Sequence, residues 1–389
     1  MRLRPVLVAC CLALGASETR GEDPPPAGTA TTEDISAERL TALVTRLSGP
    51  EFSGRASPGD REKLAMAVAE VFRAEGVAHA PGEEEFLRHF PLRGGRPAGT
   101  NVVGWIAGTS PEEHVLLAAH LDRRAVGDSK PSPAANGATG VAVLLEVARA
   151  LAKGRKPRRS IALVAFDGSE DGQYGSRTYV GAPPAALSTC AAMLAIDRLG
   201  RSIGDVAPGV LFVHGDERAE GLAASVAAVK PPAGIVIRRL GLDLHASSIP
   251  DTIPFEEAKV PSLLLTAGWS RDDGLPEDVA SKIDAAALAG RTRVVLDVVR
   301  ALADLPERPV WIEKPTPRLR ELEDVLALVR QEGEAEDRLG LSPGARLARK
   351  GLETQLASIV ARGKVTAGER ASARSAVLDV FEGLVARSK

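Results

Sequence analysis

The strongest constraint in this sequence is an apolar run, Ser160–Phe166 (SIALVAF), that opens directly onto an acidic, glycine-punctuated stretch, Phe166–Ser176 (FDGSEDGQYGS). A short apolar run of this kind reads as a buried strand. Carboxylates therefore gather just past a strand's carboxyl end, where open α/β sheets place ligands and chemistry. Two neighbouring runs repeat the pattern. Val115–Asp122 (VLLAAHLD) ends in His120 and Asp122, and Met193–Asp197 (MLAID) ends in Asp197. Three strand ends bearing histidine and carboxylates predict a metal site, working or relict.

The surrounding pattern fits an α/β chain. Helical spacing of apolar residues predicts helices over 35–47, 62–75, 140–151, 219–229 and 285–302. Strand-like runs cover 101–106, 114–120, 160–166, 193–196, 210–214, 234–237 and 262–266, whereas 81–100 reads as polar loop. Strands alternating with helices predict a sandwich around a largely parallel sheet. Beyond Pro306 the texture changes. Residues 306–318 read as a proline-rich linker, and 319–389 as helices over about 319–334, 345–361 and 367–387. These helices are expected either to pack onto the main body through their apolar faces or to serve as a partner-binding hairpin.

The first residues read as an export signal over 1–16. Arg2 and Arg4 precede the apolar stretch from Pro5 to Leu14, and small residues follow. Export to the periplasm or beyond is the expected localisation. Leu7-Val8-Ala9-Cys10 also looks like a lipoprotein box, which would anchor Cys10 to lipid. Residues 17–34 read as a polar linker, and the α/β domain as 35–305. Only Cys190 lies beyond the signal, which excludes a disulfide within the mature chain. A formal charge of −2 and 3% aromatic residues argue against nucleic acid as a partner. No segment outside the signal reads as a membrane span.

Over about 35–305 the chain resembles the secreted zinc aminopeptidases, metallopeptidase family twenty-eight, which also includes glutamate carboxypeptidases and glutaminyl cyclases. The resemblance rests on Phe52-Ser53-Gly54-Arg55, Asn101-Val102-Val103-Gly104, Ala119-His120-Leu121-Asp122 and Ala138-Thr139-Gly140-Val141-Ala142. It continues through Phe166-Asp167-Gly168-Ser169-Glu170-Asp171-Gly172 and Ile196-Asp197-Arg198-Leu199-Gly200. It implies an aminopeptidase-like three-layer α/β sandwich with a mixed, largely parallel central sheet, plus the C-terminal all-helical appendage.

The same resemblance places His120, Glu170 and Asp197 at zinc-ligand positions, with Asp122 supporting His120. It also places replacements at critical positions. Asn136 stands where the bridging aspartate belongs, Ser169 where the general-base glutamate belongs, and Gly274 in the slot of the last histidine ligand. His245 is the last histidine in the chain. Pro250-Asp251-Thr252 replaces a Ser-Asp-His element. Catalytic zinc usually takes three protein ligands, and loss of a general base costs about 10²–10⁴ in rate. The expectation is a pseudo-peptidase that keeps the scaffold to bind a peptide or protein partner, needing no cofactor. The alternative is an active zinc exopeptidase with an atypical, mononuclear site; a cyclase or other hydrolase using the residual carboxylates is a third reading. Arg123 and Arg124 follow Asp122, and Arg198 follows Asp197. Either Arg123 or Arg198 takes the cation position and pairs with Glu170 or Asp197, or both point to solvent.

Overall fold

In the computed structural model the described residues are 35–55, 57–91, 99–123, 135–244 and 250–385. The signal, Cys10, Arg124 and His245 lie outside them.

The chain enters through two capped helices. α1 (Ala37–Leu47) starts at Ser36, whose hydroxyl accepts the Arg39 amide, and α2 (Pro58–Ala74) starts at Ser57, which does the same for Asp60. Each cap satisfies an amide that the first helical turn leaves without a partner. Short strands β1 (Ala78–His79) and β2 (Leu87–Phe90) follow, then β3 (Gly99–Ile106) and β4 (His114–His120). Next come α3 (Ala135–Lys153), β5 (Ser160–Phe166), α4 (Tyr174–Gly181), β6 (Cys190–Asp197) and β7 (Val210–His214). The remaining elements are α5 (Glu220–Ala228), β8 (Val236–Leu240), α6 (Ile253–Glu257), β9 (Ser262–Thr266) and α7 (Ala285–Asp304). After the proline-rich segment come α8 (Leu319–Glu334), α9 (Glu336–Leu339), α10 (Pro343–Arg362) and α11 (Ala367–Val385).

The strands form one sheet in the order β1-β3-β5-β4-β6-β9-β7-β8, with β2 also paired to β3. Its centre, β5-β4-β6-β9, is parallel throughout. Antiparallel pairings flank that centre: β3 joins β5 on one side and β7 joins β9 on the other. The sheet is therefore mixed, with the parallel strands where the carboxylate-bearing ends lie.

Strand side chains alternate between two cores, as a period of two requires. Val115, Leu117, Leu163, Leu194 and Leu265 face α1, α2, α3 and α7. Leu116, Ala118, Val164, Phe166 and Met193 face α4 and α6, where Tyr179 and Phe255 fill the layer. Three layers result. α3 meets the length and hydropathy of a membrane crossing, yet 89% of its most apolar stretch is buried inside the protein. A helix this rich in apolar residues is the expected product of such burial. Cys190 is fully buried, and burial pushes its thiol up to about 12.

Several boundaries depart from the sequence reading. β2 lies in the stretch expected to be loop, because Arg88 and His89 sit on a margin strand whose pairing to Thr100 and Asn101 is set by the backbone. α3 begins at Ala135 rather than 140. Its opening Ala-Asn-Gly is held by the Asp278 carboxylate, which accepts the Asn136 amide at 3.1 Å. β8 runs through Arg238 and Arg239, two cations that hide its strand character in the sequence.

The C-terminal helices share a core with the far end of the sheet. Leu322, Val325 and Val329 of α8, Leu352 and Leu356 of α10, and Val377, Phe381 and Leu384 of α11 close over Phe212, Leu240 and Leu244. α8 also covers the open margin of β8. Asp324 accepts the Arg239 amide at 2.9 Å and the Arg238 guanidinium at 3.1 Å, and Glu321 accepts the Gly241 amide at 3.0 Å. Strand amides that would otherwise point outward thus find carboxylates.

Candidate functional site

The parallel strands β4, β5 and β6 end side by side, which brings His120, the Asp167–Glu170 turn and Asp197 to one face. His120 Nε2 lies 3.2 Å from Asp197 Oδ1, and its Nδ1 lies 2.9 Å from the Asp122 carbonyl oxygen. Burial alone would lower the His120 pKa. Asp122 and Asp197 more than offset this and hold it well above the usual imidazole value. Arg198 and the bond from His120 hold Asp197 below the usual carboxylate range against its burial.

Asp122 is buried and works as a template for the acidic turn. Its two carboxylate oxygens accept the Ser169 amide at 3.1 Å and the Glu170 amide at 2.9 Å. Gly175 completes this turn: a Cβ there would lie 2.3 Å from the Asp167 carbonyl oxygen, so only glycine permits the approach.

Arg198 dominates the centre. Its backbone is left-handed, with φ +49°, and the residue is 7% exposed. The guanidinium donates to Asp197, reaches Glu170 Oε1 at 3.3 Å and lies 3.6 Å from Asp273 Oδ1. Its planar face stacks on Trp269, 4.3 Å from the ring centroid. Burial opposes the charge, but Asp197, Asp273 and Glu170 raise the Arg198 pKa further above its already high value. A buried guanidinium bonded to several carboxylates and stacked on an indole is the geometry for which arginine is suited. Of the two arginines singled out in the sequence, Arg198 reaches both Asp197 and Glu170. Arg123 is half-buried, its amide donates to the Arg55 carbonyl at 3.3 Å, and burial lowers its side-chain pKa.

The substituted positions are also engaged. Asn136 is fully buried at the start of α3; its amide nitrogen donates to Asp273 at 3.3 Å and its carbonyl oxygen accepts the Gly200 amide at 3.3 Å. Ser169 donates to Asp251 Oδ2 at 2.7 Å, while Ser176 donates to Asp251 Oδ1 at 2.6 Å. Burial pushes Asp251 up to about 6. Gly274 occupies a left-handed turn, φ +82°, directly after Asp273. Asp273, Asp251 and Trp269 were not singled out as site residues in the sequence. They arrive on loops without periodicity, and only the Pro250-Asp251-Thr252 element gave one of them a signal.

A zinc pair, which the sequence resemblance implies, does not fit these donors. The carboxylates that would grip it are committed to Arg198, the bridging position is an amide bonded on both sides, and the base position is a hydroxyl. Among the described residues no group of three or more His, Cys, Asp or Glu side chains could hold a metal ion. The face holds a fixed cluster of paired charges; it offers no carboxylate at residue 169 to deprotonate water.

Comparison with known proteins agrees with this architecture. A probable zinc metalloprotease from Leptosphaeria maculans is 29% identical over 193 residues, 44% of this chain and 43% of the relative. A probable glutamate carboxypeptidase from Zea mays is 38% identical over 151 residues, 38% of this chain and 19% of the relative. The chain thus spans less than half the length of these curated relatives. Among solved structures, an aminopeptidase from Aneurinibacillus sp. strain AM-1 superposes with a TM-score of 0.57 at 15% identity, covering 74% of this chain and 98% of that one. Porphyromonas gingivalis glutaminyl cyclase superposes with a TM-score of 0.54 at 19% identity, covering 68% and 98%. The model of peptidase family M28 matches residues 101–299, just over half of the 389 residues. This chain belongs to peptidase family M28.

Proposed function

We propose that this protein is a non-hydrolysing member of the family, an exported pseudo-peptidase that keeps the aminopeptidase-like scaffold as a peptide- or partner-binding module. The observation that carries the reading is the buried Arg198 guanidinium, bonded to Asp197 and Glu170 and beside Asp273. A permanent cation sits where a catalytic ion would need those same oxygens. The replaced base supports it: the Ser169 hydroxyl donates to Asp251 and has no carboxylate with which to accept a proton from water. The leader-like residues 1–16 support export.

Two measurements on the full chain test this. Protein purified in zinc-supplemented buffer is expected to carry well below one equivalent of zinc by mass spectrometry of metals. Dye release from a panel of aminoacyl-nitroanilides is expected to match buffer. Stoichiometric zinc together with chelator-sensitive turnover would establish the alternative, an active zinc exopeptidase.

A further inference from the structure

Two loops leave the sheet beside Arg198: 198–206 after β6, and 267–284 after β9. They are tied to each other. The Ala267 amide donates to the Arg198 carbonyl at 3.1 Å, and the Gly204 amide donates to the Trp269 carbonyl at 2.9 Å. Gly268, φ +82°, lies so close to Ile203 that a Cβ on it would sit 2.9 Å from the Ile203 Cβ. The first part of the earlier loop is held from the α7 side, where Arg291 donates to the Leu199 and Arg201 carbonyls at 2.8 and 2.7 Å.

The second part is held by the C-terminal helices. Ile203 and Val206 belong to the same buried cluster as Val377, Phe381 and Leu384 of α11. Gly204, φ +55°, lies directly under α11: a Cβ there would be 2.4 Å from the Leu384 carbonyl oxygen. Phe381 in turn packs edge-on to Phe212 of β7, with ring centroids 6.0 Å apart. On the other loop, the Arg271 guanidinium donates to the Leu339 carbonyl at the end of α9, at 3.4 Å. A continuous packed path therefore runs from Leu384 through Gly204 and Trp269 to the Arg198 guanidinium.

We propose that α11 is a brace that clamps the two loops together and holds the Arg198–Trp269 pair over the carboxylate cluster, so that loosening α11 opens this face. The brace concerns control of the same face and takes its functional meaning from Arg198 as the resident cation. The zinc measurement on the unaltered protein tests that reading separately.

The test is hydrogen exchange on the full chain, read by mass spectrometry. Phe381→Ala creates a cavity under α11 at a residue that lies outside both loops. Peptides covering 198–206 and 267–274 are expected to exchange at least tenfold faster, together with α11, while peptides from β4 and β5 stay protected. Phe381→Leu should restore most of the protection. Leu40→Ala in α1, a destabilising change in a helix that meets the later loop at Ala280–Lys282, outside the peptides read, should leave both loop peptides unchanged. If Phe381→Ala does not fold, Gly204→Ala makes the same prediction from the loop side, with α11 and 267–274 losing protection together. Faster exchange confined to α11, with both loops still protected, would overturn the brace. So would equal acceleration of the loops by Leu40→Ala.

Discussion

At residue 198 one cation lies among two buried carboxylates, Asp197 and Asp273, and the partly exposed Glu170. Taking ionised groups out of water is costly unless each is paired, and removing one partner of a buried pair costs about 3–5 kcal/mol. Arg198→Met is therefore expected to lower unfolding stability by about that amount, read as a shift in the urea midpoint. Arg198→Lys should recover only part of it, because an ammonium cannot span several carboxylates as a planar fork does. A Met variant as stable as the parent would show that the cluster does not depend on the guanidinium. His120, Glu170 and Asp197 were legible in the sequence because strand ends carry them to one face. The two-way choice between Arg123 and Arg198 was not, since both follow an aspartate at a strand end. What separates them is the left-handed backbone at 198, which turns that side chain inward against Trp269. Asp273 was illegible for the opposite reason, and Asp251 carried only the signal of the Pro250-Asp251-Thr252 element: each lies in irregular chain, and its role exists only after β9 and α6 have been placed.

At the scale of elements, the runs SIALVAF, VLFVH and SLLLT gave β5, β7 and β9 their observed bounds, because strands buried on both faces read as near-continuous apolar runs. β8 was displaced in the sequence reading by Arg238 and Arg239, whose charges are answered only in three dimensions. α8 supplies the answer through Asp324, which is 1% exposed and serves both a strand amide and a guanidinium. Asp324→Ala is expected to cost about 3 kcal/mol by leaving these donors without their acceptor. The variant should also self-associate through the uncovered margin of β8. Urea unfolding and light scattering read the two effects, and a monodisperse variant of unchanged stability would refute the capping role.

At the scale of the whole molecule, the C-terminal helices complete the core of the far half of the sheet. Their removal would expose Ile203, Val206, Phe212, Leu240 and Leu244 as one apolar surface. Ending the chain at residue 318 is therefore expected to give insoluble or aggregated protein, checked by soluble yield and gel filtration. A stable monomer of that length would mean that the main body closes its own core. The apolar spacing within each helix was readable from sequence, but the surface it meets was not, because helical periodicity shows a face and never its counterpart. Arg198 carries one consequence beyond stability. An ion must be acquired from the surroundings and can be lost to scarcity or to a competing chelator, whereas a guanidinium is supplied by translation itself. With Arg198 as the resident cation proposed above, the charge balance of this face would be inherited with the chain, and its shape is expected to be the same in metal-starved and metal-rich surroundings.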